Sequence, residues 1–324
     1  MSALSLYVGT RATGRLSVDV GKSEGVKTWL LEGGYYLDPS STNDALILTT
    51  SDLRDYLSYV AFDYSRFSLA SWESFRVARY ERDAAGALGW PMIKLYYAAF
   101  FAAHALMRSD GGGVIRLEKQ QAKKLGEFGS IIIGAQFDVQ PGNFEVRTAQ
   151  NVDGSLRISL TRLSESGGAH DAFWKRFTEY LKQIEADAVA ANAANASQVV
   201  AEVEALSRLL KGPGGDNGTW LSVIRNKINY QHGYGLWFPS KGGHPALAAI
   251  DGARPLETAN VRLDYNPSKE TLPAFVAAAH YLSSINYDVA ERVAARSTGA
   301  TGFGAKWRRL RIALNGEVAP LAAA

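Results

Sequence analysis

The sequence predicts a mainly α protein, α+β overall: a helical bundle with a small antiparallel β insertion, preceded by a β-rich N-terminal segment. Three observations predict it. Apolar residues recur at helical spacing from about Ser51 onward. A period-2 stretch interrupts them between 130 and 163. The first 50 residues are rich in Gly, Thr and β-branched residues in short alternating runs. The 324 residues are 47% apolar and 21% charged, which supplies a packed core and excludes a mostly disordered chain. The expected organisation is a β-rich segment over 1–50, a helical domain over 51–298 with a β-meander at 130–163, and a Gly-rich, basic tail over 299–324.

The elements follow in order. Trp29 to Leu37 reads as two strands around a Glu-Gly-Gly turn. Ser71 is placed to cap a helix over 72–88, with Trp72, Phe75, Ala78 and Tyr80 in its apolar stripe. Gly89-Trp90 ends that helix, and Pro91 opens the next at its first position, where a missing N–H costs nothing. The helix over 91–108 is apolar nearly all round, so it belongs at the centre of a bundle, with Tyr97 and Phe101 covered. Asp110-Gly-Gly-Gly113 stops it. Ile131–Val139, Phe144–Val146 and Leu156–Leu160 form the meander, with a hairpin turn at Asp153-Gly154. Helical spacing returns over 169–184 and 197–210. A Gly-Pro-Gly-Gly loop follows, then a short helix from Trp220 to about His232, capped by Thr219 and closed by Gly233. A last long helix covers about 269–296.

Composition removes many functions. Lys+Arg 35 against Asp+Glu 32 gives a net charge of +3, too mild to mark a nucleic-acid binder by charge alone. With no cysteine, disulfide scaffolds, Cys-ligated zinc, iron–sulfur clusters and cysteine nucleophiles are excluded. No metal motif, serine-hydrolase elbow, phosphate-binding loop or dinucleotide fingerprint is present, so neither metal nor cofactor is expected. The N-terminus lacks a basic region followed by an apolar run, and the apolar stretch 95–107 falls short of the roughly 20 residues a bilayer requires. A soluble, cytoplasmic protein without membrane contact is expected.

Five histidines, at 104, 170, 232, 244 and 280, supply the near-neutral acid/base groups. His104 and His280 lie in apolar helices and read as satisfied core or interface residues; His170 and His244 flank Gly-rich turns and read as surface groups. That leaves Arg225-Asn-Lys-Ile-Asn-Tyr-Gln-His232. Seven residues are almost two helical turns, which puts Arg225 and His232 on one face about 10 Å apart along the axis, with Asn229 between them. A guanidinium clamps phosphate, an imidazole moves protons near neutral pH, and Asn226 and Asn229 add amides. With 22 arginines and five histidines, an Arg five to seven residues before some His is expected about once by chance. The pair gains weight from Asn226 after the arginine, the short helix closed by Gly233, and the upstream apolar helix.

Arg225, Asn226 and His232, with the apolar run Tyr96–Met107, resemble the HEPN superfamily, an all-α bundle whose nuclease members carry Arg-polar-x3–5-His at a helix end. The resemblance covers about 71–110 and 170–297; the β-meander and the first 50 residues fall outside it. It implies a metal-independent endoribonuclease, acting on RNA as a homodimer, in a toxin or antiphage-defence role with an antitoxin or defence-system partner. In that reading His232 moves the proton of the ribose 2′-hydroxyl, Arg225 stabilises the pentavalent phosphate, and Asn226 orients the pair. Lys227, Asn229 and Tyr234 contact substrate; His232-Gly-Tyr234 also resembles the His-x-Tyr tail of a toxin branch whose tyrosine is adenylylated. Lys306-Trp-Arg-Arg-Leu-Arg311 mixes cations with an aromatic, which suits RNA. The rival is a catalytically silent helical module that binds a protein or nucleotide.

Overall fold

A computed structural model of the chain describes residues 1–16, 24–85, 87–134, 136–163, 168–237, 261–297 and 303–315. It is mainly helical with one small antiparallel sheet. Helices α1 (Ala3–Leu16) and α2 (Val26–Glu32) precede strands β1 (Tyr36–Leu37) and β2 (Ala45–Thr50). The long α3 (Leu53–Ala85) and α4 (Gly89–Ser109) form a helical hairpin, followed by β3 (Gly113–Leu117), α5 (Lys119–Ile133), β4 (Gly142–Gln150) and β5 (Leu156–Arg162). Then come α6 (Gly168–Ala190), α7 (Ala196–Leu210), α8 (Trp220–Gln231), α9 (Thr271–Arg296) and α10 (Phe303–Asn315).

Helix α4 is the hub. Met92, Leu95, Tyr96, Ala98, Ala99, Ala102, Ala103 and Ala105 are all at most 1% exposed, and α3, α8, α9 and α1 pack around them. The run of alanines lets neighbouring helices approach closely while removing apolar area from water. Tyr97 and Phe101 are half-buried, as the apolar character of the helix requires. Pro91 falls at the third position rather than the first, because Gly89 and Trp90 already belong to the helix. A proline there is still within the first turn, where its missing N–H breaks no ladder bond. The N-terminal amides of Leu88 and Gly89 instead donate to the Leu236 carbonyl, at 2.8 and 3.0 Å.

The sheet order is β1-β2-β5-β4-β3, antiparallel throughout. Leu46 faces Leu160, Leu48 faces Ile158 and Val146 faces Leu160, so one face buries its aliphatic residues. The hairpin turn at Asp153-Gly154 is present, with Gly154 left-handed at φ 84°.

Several expectations require correction. Among the described residues of the first 50, helix outweighs strand, with 14 and 7 residues in α1 and α2 against 2 and 6 in β1 and β2, so the segment is not β-rich. Leu4, Val8, Ala12 and Leu16 form a buried i, i+4 stripe, and Val26, Trp29 and Leu30 form a second helical face. The Trp29–Leu37 stretch is therefore not two strands: Gly33, left-handed at φ 78°, ends α2, and only Tyr36–Leu37 joins the sheet. Ile131–Ile133 lies in α5 because Glu118 and Gln121 form a capping box at its start and Gly134 closes it. The sheet is thus no insertion at 130–163; it gathers strands from 36 to 162. Ser71 caps nothing. It sits inside the continuous α3, where its hydroxyl donates to the Ala98 carbonyl of α4 at 2.8 Å. Thr219 stands at the N-cap of α8 without a side-chain cap bond. The basic C-terminal segment is α10, not a solvated tail: Phe303 and Trp307 are buried, and Trp307 packs edge-on to Trp72 while its Nε1 donates to Glu291 at 2.7 Å. That burial removes Trp307 as a base-stacking group. His244, the link at 299–302 and the tail at 316–324 lie outside the described residues.

Candidate functional site

Helix α8 packs on α4 through Trp220, Leu221, Ile224 and Ile228, all at most 1% exposed. That stripe leaves Arg225, Asn226, Lys227, Asn229 and Tyr230 on the outer side. Arg225 is half-buried and threads between aromatic rings. Its guanidinium carbon lies 5.8, 5.9 and 5.4 Å from the ring centres of Tyr96, Tyr97 and Tyr230. Its Nη2 donates to the Tyr97 hydroxyl at 3.0 Å and its Nη1 to Asn226 Oδ1 at 2.8 Å. Its Nε is buried without a hydrogen-bond partner. Arg225 and Asn226 are thus hydrogen-bonded to each other, with Tyr97 as a third member that sequence spacing alone could not supply.

His232 ends the same helix. It is exposed, and its backbone turns left-handed at φ 50°, ψ 33° while its N–H donates to the Lys227 carbonyl. Tyr234, two residues on, is also left-handed at φ 66°. Neither is glycine or asparagine, so each occupies a conformation that costs an ordinary side chain free energy. The turn is held by Trp237, whose Nε1 donates to the Ile228 carbonyl at 2.7 Å and whose ring meets Trp90 edge-on at 5.4 Å. The His232 ring lies 5.9 Å from that of Trp237. A Cβ at Gly89 would come within 2.6 Å of Trp237, so Gly89 is what lets the turn seat on the start of α4. Tyr234 is half-buried, which pushes its phenol above the usual range. Lys227 is exposed and Asn229 half-buried, both on the outer side of α8.

His170 is the residue that sequence reasoning missed. Rather than a free surface group it is half-buried at the start of α6, beside the left-handed Gly168. Its Nδ1 shares a 2.8 Å hydrogen bond with the hydroxyl of Tyr96, which also accepts from Trp174 Nε1 at 3.1 Å. Burial, and secondly the Arg225 charge, push its imidazole below the usual histidine range. It is therefore neutral at pH 7 and able to accept a proton. Nothing in the local sequence of His170 signals this, because Tyr96 and Arg225 lie far away along the chain.

His104 is buried between Phe67 and Phe173, stacked at 4.6 and 3.9 Å, and its Nδ1 has no hydrogen-bond partner. It is a core histidine, as expected, but an unsatisfied one. Among the described residues no three His, Asp or Glu side chains gather to hold a metal, and no helix is long and apolar enough to cross a membrane. Compared with family models, curated proteins and solved structures, the chain matches none.

Proposed function

We propose that the chain is a metal-independent endoribonuclease of the HEPN type, acting on RNA as a homodimer in a toxin or antiphage-defence role. The observation that carries this reading is the end of α8: Arg225 and Asn226 hydrogen-bonded together, and two turns on an exposed His232 and a half-buried Tyr234 both held in left-handed backbone. Strain at non-glycine residues persists where the surroundings over-determine it, and it concentrates at functional sites.

In the proposed reaction the ribose 2′-oxygen attacks phosphorus and gives its proton to His232. Arg225 stabilises the charge gathering on the phosphoryl oxygens. The P–O5′ bond breaks, and the leaving O5′ takes a proton from a second imidazole, leaving a 2′,3′-cyclic phosphate and a 5′-hydroxyl. Attack and departure occur on opposite sides of the phosphorus, which one helix-anchored imidazole reaches poorly. A two-fold axis beside His232 would supply the second. The expected partners are therefore RNA and a second copy of the chain, with an antitoxin or defence-system protein controlling it.

The test is cleavage of a single-stranded RNA in EDTA. Wild type should cut and leave cyclic phosphate ends, while Arg225→Ala and His232→Ala should not, with melting temperatures nearly unchanged. Cleavage by His232→Ala, or none by wild type, defeats the reading.

A second reading rests on Arg225 itself. Two of its donors are already engaged by Tyr97 and Asn226 and three rings surround it, as in a structural cation. On that reading the module is a silent binder, and Arg225→Ala would lower stability instead of activity.

A further inference from the structure

His170 shares with Arg225 one aromatic patch of α4, although the two come from different helices. The imidazole, at the start of α6, has its ring centre 5.7, 6.3 and 4.7 Å from those of Tyr96, Tyr97 and Phe100. The Arg225 guanidinium, from α8, lies over the first two of those rings at 5.8 and 5.9 Å. Its charge reaches the imidazole, where it is second only to burial in lowering the proton affinity. The imidazole is thereby held neutral and sits beside the guanidinium without repelling it.

The hydrogen bonds around Tyr96 orient that imidazole. Trp174 Nε1 can only donate, so the Tyr96 oxygen accepts its bond at 3.1 Å, which leaves the phenolic proton for His170 Nδ1 at 2.8 Å. This assignment puts the imidazole's own proton on Nε2. Among the described residues Nε2 has no hydrogen-bond partner, and unlike the Nδ1 of His104 it is not enclosed. A half-buried ring wedged against three aromatic side chains and tied at Nδ1 has little freedom, so its N–H is aimed.

Arg225, by contrast, is short of donors. A guanidinium has five N–H groups. Its Nε is enclosed, and Nη1 and Nη2 each spend one N–H on Asn226 and Tyr97, so only one N–H on each Nη is left for substrate. In a phosphate under attack the charge gathers on two non-bridging oxygens, and so reduced a fork serves one of them. We infer that His170 is a further catalytic residue of the proposed ribonuclease site, its Nε2–H donating to the second non-bridging oxygen of the scissile phosphate. The inference rests on the ribonuclease reading. His170 moves no proton: both transfers stay with the His232 imidazoles, and His170 adds a fixed donor where negative charge develops.

The test is cleavage, by the full chain in EDTA, of a short RNA with one cleavable ribonucleotide, made with the ordinary phosphate and with each phosphorothioate diastereomer at the scissile bond. Sulfur is a weak hydrogen-bond acceptor, so a sulfur facing His170 loses that donor. Wild type should cut this diastereomer about tenfold more slowly than the ordinary RNA. His170→Ala should cut the ordinary RNA about 100-fold more slowly than wild type, abolish the penalty of that diastereomer and leave the other diastereomer's penalty in place. His170→Phe, which refills the ring's place without an N–H, should behave as the alanine variant and carries the comparison if alanine unfolds the chain. His170→Gln, which restores an N–H, should recover at least about tenfold. Cleavage by the alanine and phenylalanine variants within about twofold of wild type, or equal losses on all three substrates, would overturn the inference and leave the ribonuclease reading standing. Wild type that cuts no RNA would overturn both.

Discussion

Replacing His232 with glycine should make the protein more stable and inactive at once. His232 holds φ 50°, ψ 33° at the end of α8, where its amide closes the helix on the Lys227 carbonyl. For a residue with a Cβ the left-handed region costs roughly 1–2 kcal/mol, and glycine pays none of it. Glycine loses more chain entropy on folding, which returns roughly 0.5–1 kcal/mol. The side chain itself is exposed and contributes only a ring contact with Trp237 at 5.9 Å. The net gain is therefore about 0–1.5 kcal/mol, centred near 0.7, or a rise of up to about 2 °C in melting temperature for a chain of this size. His232→Ala keeps the strain and loses the ring, so it should melt at or slightly below wild type. The assay is thermal or urea unfolding of wild type, His232→Gly and His232→Ala, run beside RNA cleavage in EDTA. Both variants should be inactive and only the glycine variant stabilised. A glycine variant no more stable than the alanine variant would refute the claim that the turn stores strain, and with it the observation on which the proposed site rests.

Arg225→Lys keeps a charge but loses the fork that reaches Tyr97 and Asn226 together, so cleavage should fall by at least about tenfold while stability changes by no more than about 1 kcal/mol. Equal losses of stability and activity would favour a structural cation. Trp307→Ala should cost about 3–5 kcal/mol by opening a cavity against Trp72 and Tyr287, measured by urea unfolding of the full chain; a change below about 1 kcal/mol would show that α10 is not docked. Burial holds the His104 imidazole well below 6.5, and burial with the Arg225 charge lowers His170 as well. The unfolded chain therefore binds protons that the folded chain refuses, so this contribution is full above the unfolded pKa near 6.5 and is lost as pH falls below it. Melting temperature should drop from pH 7 to pH 5, and His104→Phe should flatten the slope; an unchanged slope would place the sensitivity elsewhere.

What the sequence conveyed was set by how local each determinant is. The helix α4 was legible because its apolar residues leave it no polar face, and a segment of that kind has one physical destination. The Asp153-Gly154 turn was legible because two adjacent residues carry its chemistry. The N-terminal helices were misread for the opposite reason. Gly9, Thr10, Thr13 and Gly14 of α1 depress its local helix propensity, and the helix exists because Leu4, Val8, Ala12 and Leu16 bury against α9, a partner some 270 residues away. The same limit governs the site. Arg225, Asn226 and His232 lie within eight residues, so their chemistry could be found by spacing. Tyr97 and His170 reach that arginine only through the packing of α8 and α6 on α4, and no spacing rule relates 97, 170 and 225. The distinction bears on mechanism as well. The residues legible as a motif would touch RNA, whereas Tyr97, found only in the fold, holds the arginine's guanidinium in place. A Tyr97→Phe variant would therefore act through the arginine's geometry, and it should lower cleavage less than Arg225→Ala does while leaving the fold intact.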